Sequence, residues 1–562
     1  MGRTCAIGLD AGSIEFIDEL CERGVLPNLT ALRARSARLG LSSAPYHRHG
    51  TLWTQFVTGT QNTFDRTGFR FFFDPATYEP YEKTAQHDAQ GVAPFWERIT
   101  GRSITFDVPA STISGRGVAV TAWGAHAASY PRASNPRGLL REIDSRFGVH
   151  PGFENEYECG WHDPRRLELL TTALEVGAVR RAEICTDLMT RFADWQLFTV
   201  VFSEAHSASE MMWHSVDPDH PLAAYDPQAL GRLERTFIAI DRAVGAIASS
   251  LRPDDTLFLF SLDGMQSSHG DLPSIVLMPE LLHRAHFGTP FIEGRDPGAW
   301  RHSGFPPVVP RRGVTWRHEL DRRLVGAPAP SWRDRAQRSR SYTALRLTPP
   351  GRAVVERIKG APLGALGIPI PPESEEDAAT IESRHGRADE LLFLGNYRPF
   401  RSQMRSFVLP SFGDGYLRIN LRGRERDGRV AISEYDEERR RLDALVLACR
   451  NPRTGHLVAD EIEWFDAATA LDPERRPYAD GIVHWNEPTD AFEHPDIGLI
   501  GPFPLHRTGI HAARGFVWAS GPEIQPGVSD DRPVLDLAPT ILCSADPSAS
   551  LPPSGQPIPF AG

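Results

Sequence analysis

The sequence predicts an α/β fold in which a mostly parallel, buried sheet lies between layers of helices. Short apolar runs that end in polar residues recur along the chain, and helical stretches lie between several of them. Strands that are apolar throughout and alternate with helices are typical of parallel sheets that are covered on both faces. The expected architecture is therefore a central sheet with helices on each side.

The predicted strands of this sheet are short runs rich in β-branched and aromatic residues. They are CAIGLD (5–10), SITFDV (103–108), VAVTAW (118–123), LFTVVFSE (197–204) and TLFLFSLDG (256–264), with GFVWASG (515–521) as the last strand-like run. Helices are predicted for IEFIDELCERG and LPNLTALRARSA, which follow the first run, and for ERTFIAIDRAVGAIASSL, which precedes the fifth. This order of strands and helices indicates β–α–β units.

The composition changes after residue 285. From there to about residue 400 the chain is dominated by Pro, Gly and Arg, as in FPPVVPRRG and GAPAPSWRDRAQRSRS, which indicates an inserted segment or irregular cover at 286–400. Short strands and turns predict a small α+β cap at 401–480. The core would then consist of residues 1–285 and 481–562.

Composition also limits the partners of this protein. The 562 residues include 61 basic and 72 acidic side chains, a net charge of −11, which argues against a nucleic acid polymer or an anionic membrane as partner. The six cysteines form no C-x-x-C pair, and no apolar run is long enough to span a bilayer, so a reduced, cytoplasmic protein is expected. We expect a small-molecule substrate, and a homo-oligomer is compatible with the sequence.

Polar side chains follow several of the predicted strands at the point where each strand ends. Asp10, the segment 203–210 and Asp263 occupy such positions. Within SEAHSASEMMWH, His206 and Glu210 are four residues apart and would share one face of a helix. Because ligands of parallel sheets bind beyond the carboxyl ends of the strands, these groups are predicted to form one site.

The opening segment, CAIGLDAGSIEFIDELCERGVLPNLTALRARSA, resembles that of type I phosphodiesterases and nucleotide pyrophosphatases in the alkaline phosphatase superfamily. Further similar motifs follow in the same order: TLWTQFVTG (51–59), APFWERITGRSITFDVP (93–109), VVFSEAHSASEMMWHSVDP (200–218), LFLFSLDGM (257–265) and HRTGIHAARGFVWASGP (506–522). The resemblance implies an alkaline-phosphatase-like fold. It also implies hydrolysis or group transfer on a small phosphorylated, nucleotide-like or sulfated compound.

The resemblance further implies two divalent metal ions, usually zinc, and a Thr or Ser nucleophile. Asp10 and His511 match metal ligands of the family, whereas His206 and Glu210 stand where the family has Asp and His. Asp263 stands where the family commonly has His. The two metals would clamp the attacking and leaving oxygens of an in-line displacement.

The nucleophile position of the family falls on His49, and Thr51 is the nearest hydroxyl that could serve instead. Sorted by metal, His206, Glu210 and His511 would hold one ion, and Asp10, Asp263 and His49 the other. Because the exchanges preserve ligand types, they indicate a rebuilt metal site rather than a decayed one. The altered set would also accept iron or manganese in place of zinc.

Three further residues are candidates for substrate binding. Arg422 and Arg424, in NLRGRE, could bind an anion or form a structural ion pair, and His269 could face the cleft or lie in an exposed loop. Two other functions remain open. One is an oxygen-dependent dinuclear iron enzyme that tailors a specialised metabolite, and the other is a metal-free protein that binds a partner.

Overall fold

The fold is described from a computed structural model of the chain. It describes residues 2–43, 52–61, 71–82, 92–111, 113, 116–124, 132–152, 160–312, 314–326, 393–411, 413–472 and 478–560. His49 and Thr51, and residues 327–392 of the predicted insertion, lie outside these ranges. The roles predicted for His49 and Thr51 stay predictions.

The strands are numbered along the chain. They are β1 (Thr4–Leu9), β2 (Ala37–Ser42), β3 (Phe71–Asp74), β4 (Glu79–Glu82), β5 (Arg102–Phe106), β6 (Val118–Thr121), β7 (Ala133–Asn135), β8 (Trp195–Phe202), β9 (Thr256–Ser261), β10 (Gly264–Ser267), β11 (Ser406–Leu409), β12 (Gly415–Ile419), β13 (Ile462–Trp464), β14 (Gly481–Val483), β15 (Phe492–His494), β16 (Gly498–Ile500), β17 (Gly509–Ala512), β18 (Arg514–Ser520), β19 (Gly527–Val528) and β20 (Arg532–Pro533).

The α-helices are α1 (Ile14–Glu22), α2 (Pro27–Ala34), α3 (Leu52–Thr58), α4 (Leu139–Phe147), α5 (Pro164–Arg191), α6 (Glu204–Met212), α7 (Ala229–Ser249), α8 (Met278–Phe287), α9 (Pro297–His302), α10 (Trp316–Asp321), α11 (Tyr435–Val446), α12 (Ala467–Leu471) and α13 (Leu537–Ala545). A π-helical turn at Pro273–Leu277 precedes α8, and 3₁₀ turns lie at Phe95–Arg98, Trp213–Ser215, Phe393–Phe400, Ile432–Glu434 and Val534–Asp536.

A large, mostly parallel sheet forms the centre of the fold. Its strand order is β19–β2–β18–β9–β1–β8–β5–β6–β7, with β20 beside β2. The neighbours β9, β1, β8, β5 and β6 run parallel, whereas β18 is antiparallel to both β9 and β2. The predicted α/β class and the parallel sheet are therefore confirmed.

Apolar side chains of β1 point alternately to the two faces of the sheet, as strand geometry requires. Ile7 and Leu9 belong to the core that includes buried residues of α1, α5 and α7, and Ala6 belongs to a second core that includes those of α3 and α13. All three side chains are fully buried. Burial on both faces explains why the strand carries no charged residue and only one polar residue, Thr4.

The cap contains a separate antiparallel sheet with the order β11–β12–β14–β13, and α11 lies between β12 and β13 along the chain. Strand β14 (Gly481–Val483) begins just past residue 480, where the sequence placed the end of the cap. In the described part of the predicted insertion, α9 and α10 are regular helices. The predicted domain boundaries otherwise stay predictions. Within the described ranges, no helix combines the length and the apolarity needed to cross a bilayer.

Candidate active site

Asp10 and Asp263 lie at the carboxyl ends of two neighbouring parallel strands, β1 and β9. The hydroxyl of Ser261 joins the two turns, because its oxygen accepts the backbone N–H of Gly12 at 2.9 Å and lies 2.6 Å from the carbonyl oxygen of Leu9. The same hydroxyl lies 2.7 Å from the carbonyl oxygen of Asp263. Ser261 therefore fixes the two carboxylates relative to one another.

The chain turns sharply after Asp10, where Ala11 adopts a left-handed backbone conformation with φ of 51°. Such a conformation is uncommon for a residue other than glycine. This conformation redirects the chain toward α1 directly after Asp10. The indole of Trp53, in α3, donates from Nε1 to Oδ1 of Asp10 at 2.7 Å, which fixes the orientation of this carboxylate.

His206 lies on α6, which starts directly after β8, and it is buried between two carboxylates. Its Nδ1 lies 3.0 Å from Oδ2 of Asp10, and its Nε2 lies 2.9 Å from Oε1 of Glu210, one turn further along the helix. Burial lowers the pKa of His206, but Glu210 and Asp10 outweigh burial and raise this pKa well above its ordinary value. The imidazole is therefore held as a cation between Asp10 and Glu210.

Arg507 contacts the same oxygen of Glu210 as His206 does. Its Nη1 donates to Oε1 of Glu210, and its Nε and Nη2 donate to Oδ2 and Oδ1 of Asp271 at 2.5 and 3.0 Å. Nδ1 of His506 lies 3.0 Å from the same Oδ2 of Asp271. Burial opposes the charge of Asp271, but Arg507 and His506 hold the pKa of this carboxyl well below its usual range.

His511 lies on β17, which pairs with β10 so that His511 is opposite Met265. Its Nδ1 lies 2.7 Å from Oδ2 of Asp263. The same nitrogen is buried and has no partner with hydrogen-bond geometry. The distance is that of an ion pair. The rings of His206 and His511 are 4.6 Å apart between centroids.

The five described residues predicted as metal ligands therefore lie together, and which of them would share a metal stays a prediction. Asp10 contacts His206, and Asp263 contacts His511, although the sequence assigned the members of each pair to different metals. Within the described residues, no three His, Cys, Asp or Glu side chains are arranged so that they could hold a metal ion jointly.

A divalent cation fits one half of this cluster and not the other. Nδ1 of His511 and Oδ2 of Asp263 are nitrogen and oxygen donors that zinc, iron and manganese accept, and no proton joins them. At His206 and Glu210, both ring nitrogens face carboxylates and a guanidinium already neutralises Glu210. The implied dinuclear group therefore does not fit this arrangement as a whole.

The N-terminal end of α6 is fixed by a buried network of charged residues. Arg181, on α5, donates from Nε to Oε1 of Glu204 at 3.0 Å and from Nη1 to Oδ2 of Asp107 at 2.8 Å. Nδ1 of His150 accepts the N–H of Gly152, so its proton lies on Nε2, which is 3.2 Å from Oε1 of Glu204. Glu204 begins the helix that carries His206 and Glu210, so this network positions both.

The sequence did not single out Trp53, Arg507 or Asp271. Trp53 lies within TLWTQFVTG and Arg507 within HRTGIH, two of the motifs that carry the family resemblance. Their place in these motifs is the signal by which the sequence could have indicated that they lie near the site. Arg507 is not a metal-ligand type, and nothing local in the sequence indicates that it contacts Glu210. Asp271 has no signal in the sequence beyond its position after SSHG.

The candidates for substrate binding have different surroundings. Arg424 is buried and donates to Asp480, Glu425 and the carbonyl oxygens of Ala470 and Ile419, so it forms the structural ion pair that the sequence left open. Arg422 is exposed. His269 is half-buried, with Nδ1 3.2 Å from the carbonyl oxygen of Ser267. Substrate roles for Arg422 and His269 stay predictions.

No protein-family model matches this chain, and no curated protein matches it. Similar solved structures include phosphonoacetate hydrolase from Sinorhizobium meliloti 1021 in complex with phosphonoformate, with 10% identity, a TM-score of 0.43, and coverage of 97% of this chain and 96% of that one. Murine and human ectonucleotide pyrophosphatase/phosphodiesterase 5 are 9% identical, with TM-scores of 0.44 and 0.43, and in each case 99% of this chain and 97% of that chain are covered.

The murine and human neighbours carry in their names the group of proteins that the sequence motifs resemble. At these identities and TM-scores, the activities that the names state are those of the neighbours.

Proposed function

We propose that this protein catalyses hydrolysis or group transfer on a small phosphorylated, nucleotide-like or sulfated compound. One observation carries the proposal: Asp10, His206, Glu210, Asp263 and His511 come together at the carboxyl ends of three neighbouring parallel strands. Carboxylates that face imidazoles at such an edge, with the pKa of His206 raised well above its ordinary value, are typical of a catalytic site.

The residues of the cluster have different roles. The two cations, Arg507 and His206, are paired with Asp271, Glu210 and Asp10, so the charge that balances an anionic phosphoryl or sulfuryl group would have to come from a bound cation. Nδ1 of His511 would bind a cation beside Asp263, so Nε2 of His511 carries the ring proton and can donate a hydrogen bond to an oxygen of the substrate. Trp53 and Ser261 hold Asp10 and Asp263 in position.

The proposed reaction depends on a divalent cation. Asp263 and His511 would hold it. The family resemblance favours zinc, and the donor set would also accept iron or manganese. When bound, the cation would stabilise negative charge on the reacting group and lower the pKa of a water molecule. Thr51 remains the candidate nucleophile of a covalent route.

Release of phosphate, sulfate or a chromogenic alcohol from a broad panel of esters tests this function. The protein is loaded with zinc, manganese or iron before the assay, and the wild type is compared with Glu210→Ala and His511→Ala. We expect turnover of at least one ester class by the wild type and its loss in both variants. Absence of turnover on the whole panel, with metal bound, would contradict the proposal.

None of the described contacts favours the oxygen-dependent iron enzyme. Glu210 contacts His206 and Arg507, so His206 and Glu210 do not form with His511 a ligand set that would leave open positions on an iron ion. A cytoplasmic location, a small-molecule substrate without nucleic acid or membrane partners, and a homo-oligomer compatible with the sequence are part of the same proposal. Size-exclusion chromatography with light scattering tests the oligomeric state.

A further inference from the structure

We propose that Arg507 permanently occupies the place of one of the two expected metal ions, so that the site takes at most one divalent cation, on the Asp263–His511 side. This inference rests on the proposed function, because it specifies which cation each half of the same site uses. It concerns a residue that is not among the predicted metal ligands.

The orientation of Arg507 is fixed by Asp271. The guanidinium uses Nε and Nη2 to form a two-pronged contact with both carboxylate oxygens of Asp271, at 2.5 and 3.0 Å. This geometry directs Nη1 toward Oε1 of Glu210. Paired planar contacts of this kind are strong and geometrically specific. The side chain of Arg507 is only 12% exposed, so solvent screening of these contacts is limited.

The backbone next to Arg507 is also joined to α6. Thr508 donates its backbone N–H to the carbonyl oxygen of Glu210 at 2.9 Å, and its Oγ1 lies 3.2 Å from the same oxygen. A Cβ at Gly509 would lie 2.6 Å from the carbonyl oxygen of Ser209. The close approach of the R-T-G segment to the helix therefore requires glycine, and it delivers Arg507 to Glu210.

A metal ion at His206 and Glu210 would have to displace these contacts. Oε1 of Glu210 already receives both Nη1 of Arg507 and Nε2 of His206. A guanidinium is charged at all accessible pH values, so a divalent cation next to it would meet electrostatic repulsion in a poorly hydrated site. Unlike a metal, an arginine cannot dissociate, so chelation cannot remove the positive charge of this half.

Metal stoichiometry tests the inference without reference to turnover. The chelator-treated full-length protein is saturated with Zn²⁺ or Mn²⁺, separated from free metal by gel filtration, and examined by elemental analysis. The wild type is expected to retain no more than one equivalent per chain, and Arg507→Met one equivalent more than the wild type. In Arg507→Lys, which keeps the charge, the content should equal that of the wild type.

Arg453→Met provides a matched control, since Arg453 forms the same two-pronged contact with Asp490, at 2.9 and 2.6 Å, in another part of the fold. Its metal content should not differ from that of the wild type.

Two equivalents of metal in the wild type, or no gain of metal in a folded Arg507→Met, overturn the inference. If Arg507→Met does not fold, the wild-type content alone decides. Turnover in a protein that holds two equivalents would overturn the inference and leave the proposed function intact. One equivalent in the wild type and a second in Arg507→Met, without turnover of any ester, would support the inference and contradict the proposed function.

Discussion

Nδ1 of His511 lies 2.7 Å from Oδ2 of Asp263, at the point where β17 meets the turn after β9. The two residues belong to different motifs that are far apart in the sequence, and the central sheet brings them together. Their contact joins a carboxylate to the one imidazole of the cluster whose side chain is partly exposed, at 26%. This pair is therefore the part of the site that substrate and cation can reach.

Asp263→Asn is expected to lower kcat about 100-fold or more, because the amide keeps the shape of the side chain but not the charge that orients His511 and attracts a cation. Steady-state kinetics on the best ester of the panel measure the effect. Asp194→Asn, at a side chain that is 68% exposed, serves as the control and should leave kcat unchanged. Equal rates for Asp263→Asn and the wild type would remove Asp263 from the mechanism.

Arg181→Met is expected to destabilise the protein by about 3 to 5 kcal/mol, because it leaves Glu204 and Asp107 buried without their partner. Urea or guanidinium unfolding gives the free energy of unfolding. Arg146→Met, which breaks an ion pair with Asp187 at a 45% exposed side chain, should have a much smaller effect on the free energy of unfolding. A similar small loss in both variants would show that the buried network does not support α6.

The stability of the protein is expected to fall as the pH drops below about 6.5, the usual pKa of histidine in an unfolded chain. Burial lowers the pKa of His214 to about 4 and that of His220 to about 3. Between about pH 6.5 and pH 3 the unfolded chain therefore binds more protons than the folded chain, and acidification favours unfolding. Above about pH 7 both histidines are neutral in the folded and the unfolded chain, so they add no further pH dependence to the stability.

The pH dependence should become shallower in His214→Phe, which keeps an aromatic ring but removes the titrating group. Urea midpoints at pH 7.5 and pH 5 give the comparison. His456→Phe, at a histidine whose side chain is 73% exposed, is the control and should keep the wild-type slope. A slope in His214→Phe equal to that of the wild type would exclude His214 as a source of the acid sensitivity.

Arg424→Met should destabilise the cap without a specific effect on KM, because the guanidinium of Arg424 is used by Asp480 and Glu425. Loss of this partner leaves Asp480 buried without its ion pair, whereas Glu425 keeps Arg418, and the expected cost is about 3 to 5 kcal/mol. Arg422→Met, at an exposed position of the same loop, should leave the unfolding midpoint unchanged. A folded Arg424→Met with wild-type stability and a raised KM would instead indicate contact with substrate.

The central strands could be predicted because their burial on both faces favours apolar side chains. Strands β1, β5, β6, β8 and β9 all fall within the apolar runs or within two residues of them. The predicted strand at 197–204 is too long at its carboxyl end, since β8 ends at Phe202 and Glu204 already begins α6. Helix α11 was not predicted, because Leu442 and Val446 give only a narrow apolar stripe in the strongly charged segment YDEERRRLDALV.

The position of the site could also be predicted, because the carboxyl ends of neighbouring parallel strands meet at one edge of a sheet. The pairing within the site could not. Which carboxylate faces which imidazole depends on the exact turn after each strand, such as the left-handed Ala11 and the hydroxyl of Ser261. The contact of Arg507 with Glu210 depends on how close β17 comes to α6, which local sequence patterns do not specify.

The most direct test of the proposed activity is a titration of the chelator-treated enzyme with Zn²⁺ or Mn²⁺ in which ester turnover and bound metal are measured on the same samples. We expect turnover to rise with bound metal and to reach its plateau at one equivalent per chain, and His511→Ala to show no plateau. Turnover that is independent of bound metal, or complete absence of turnover from fully loaded protein across the panel, would contradict a cation-dependent hydrolytic site at Asp263 and His511.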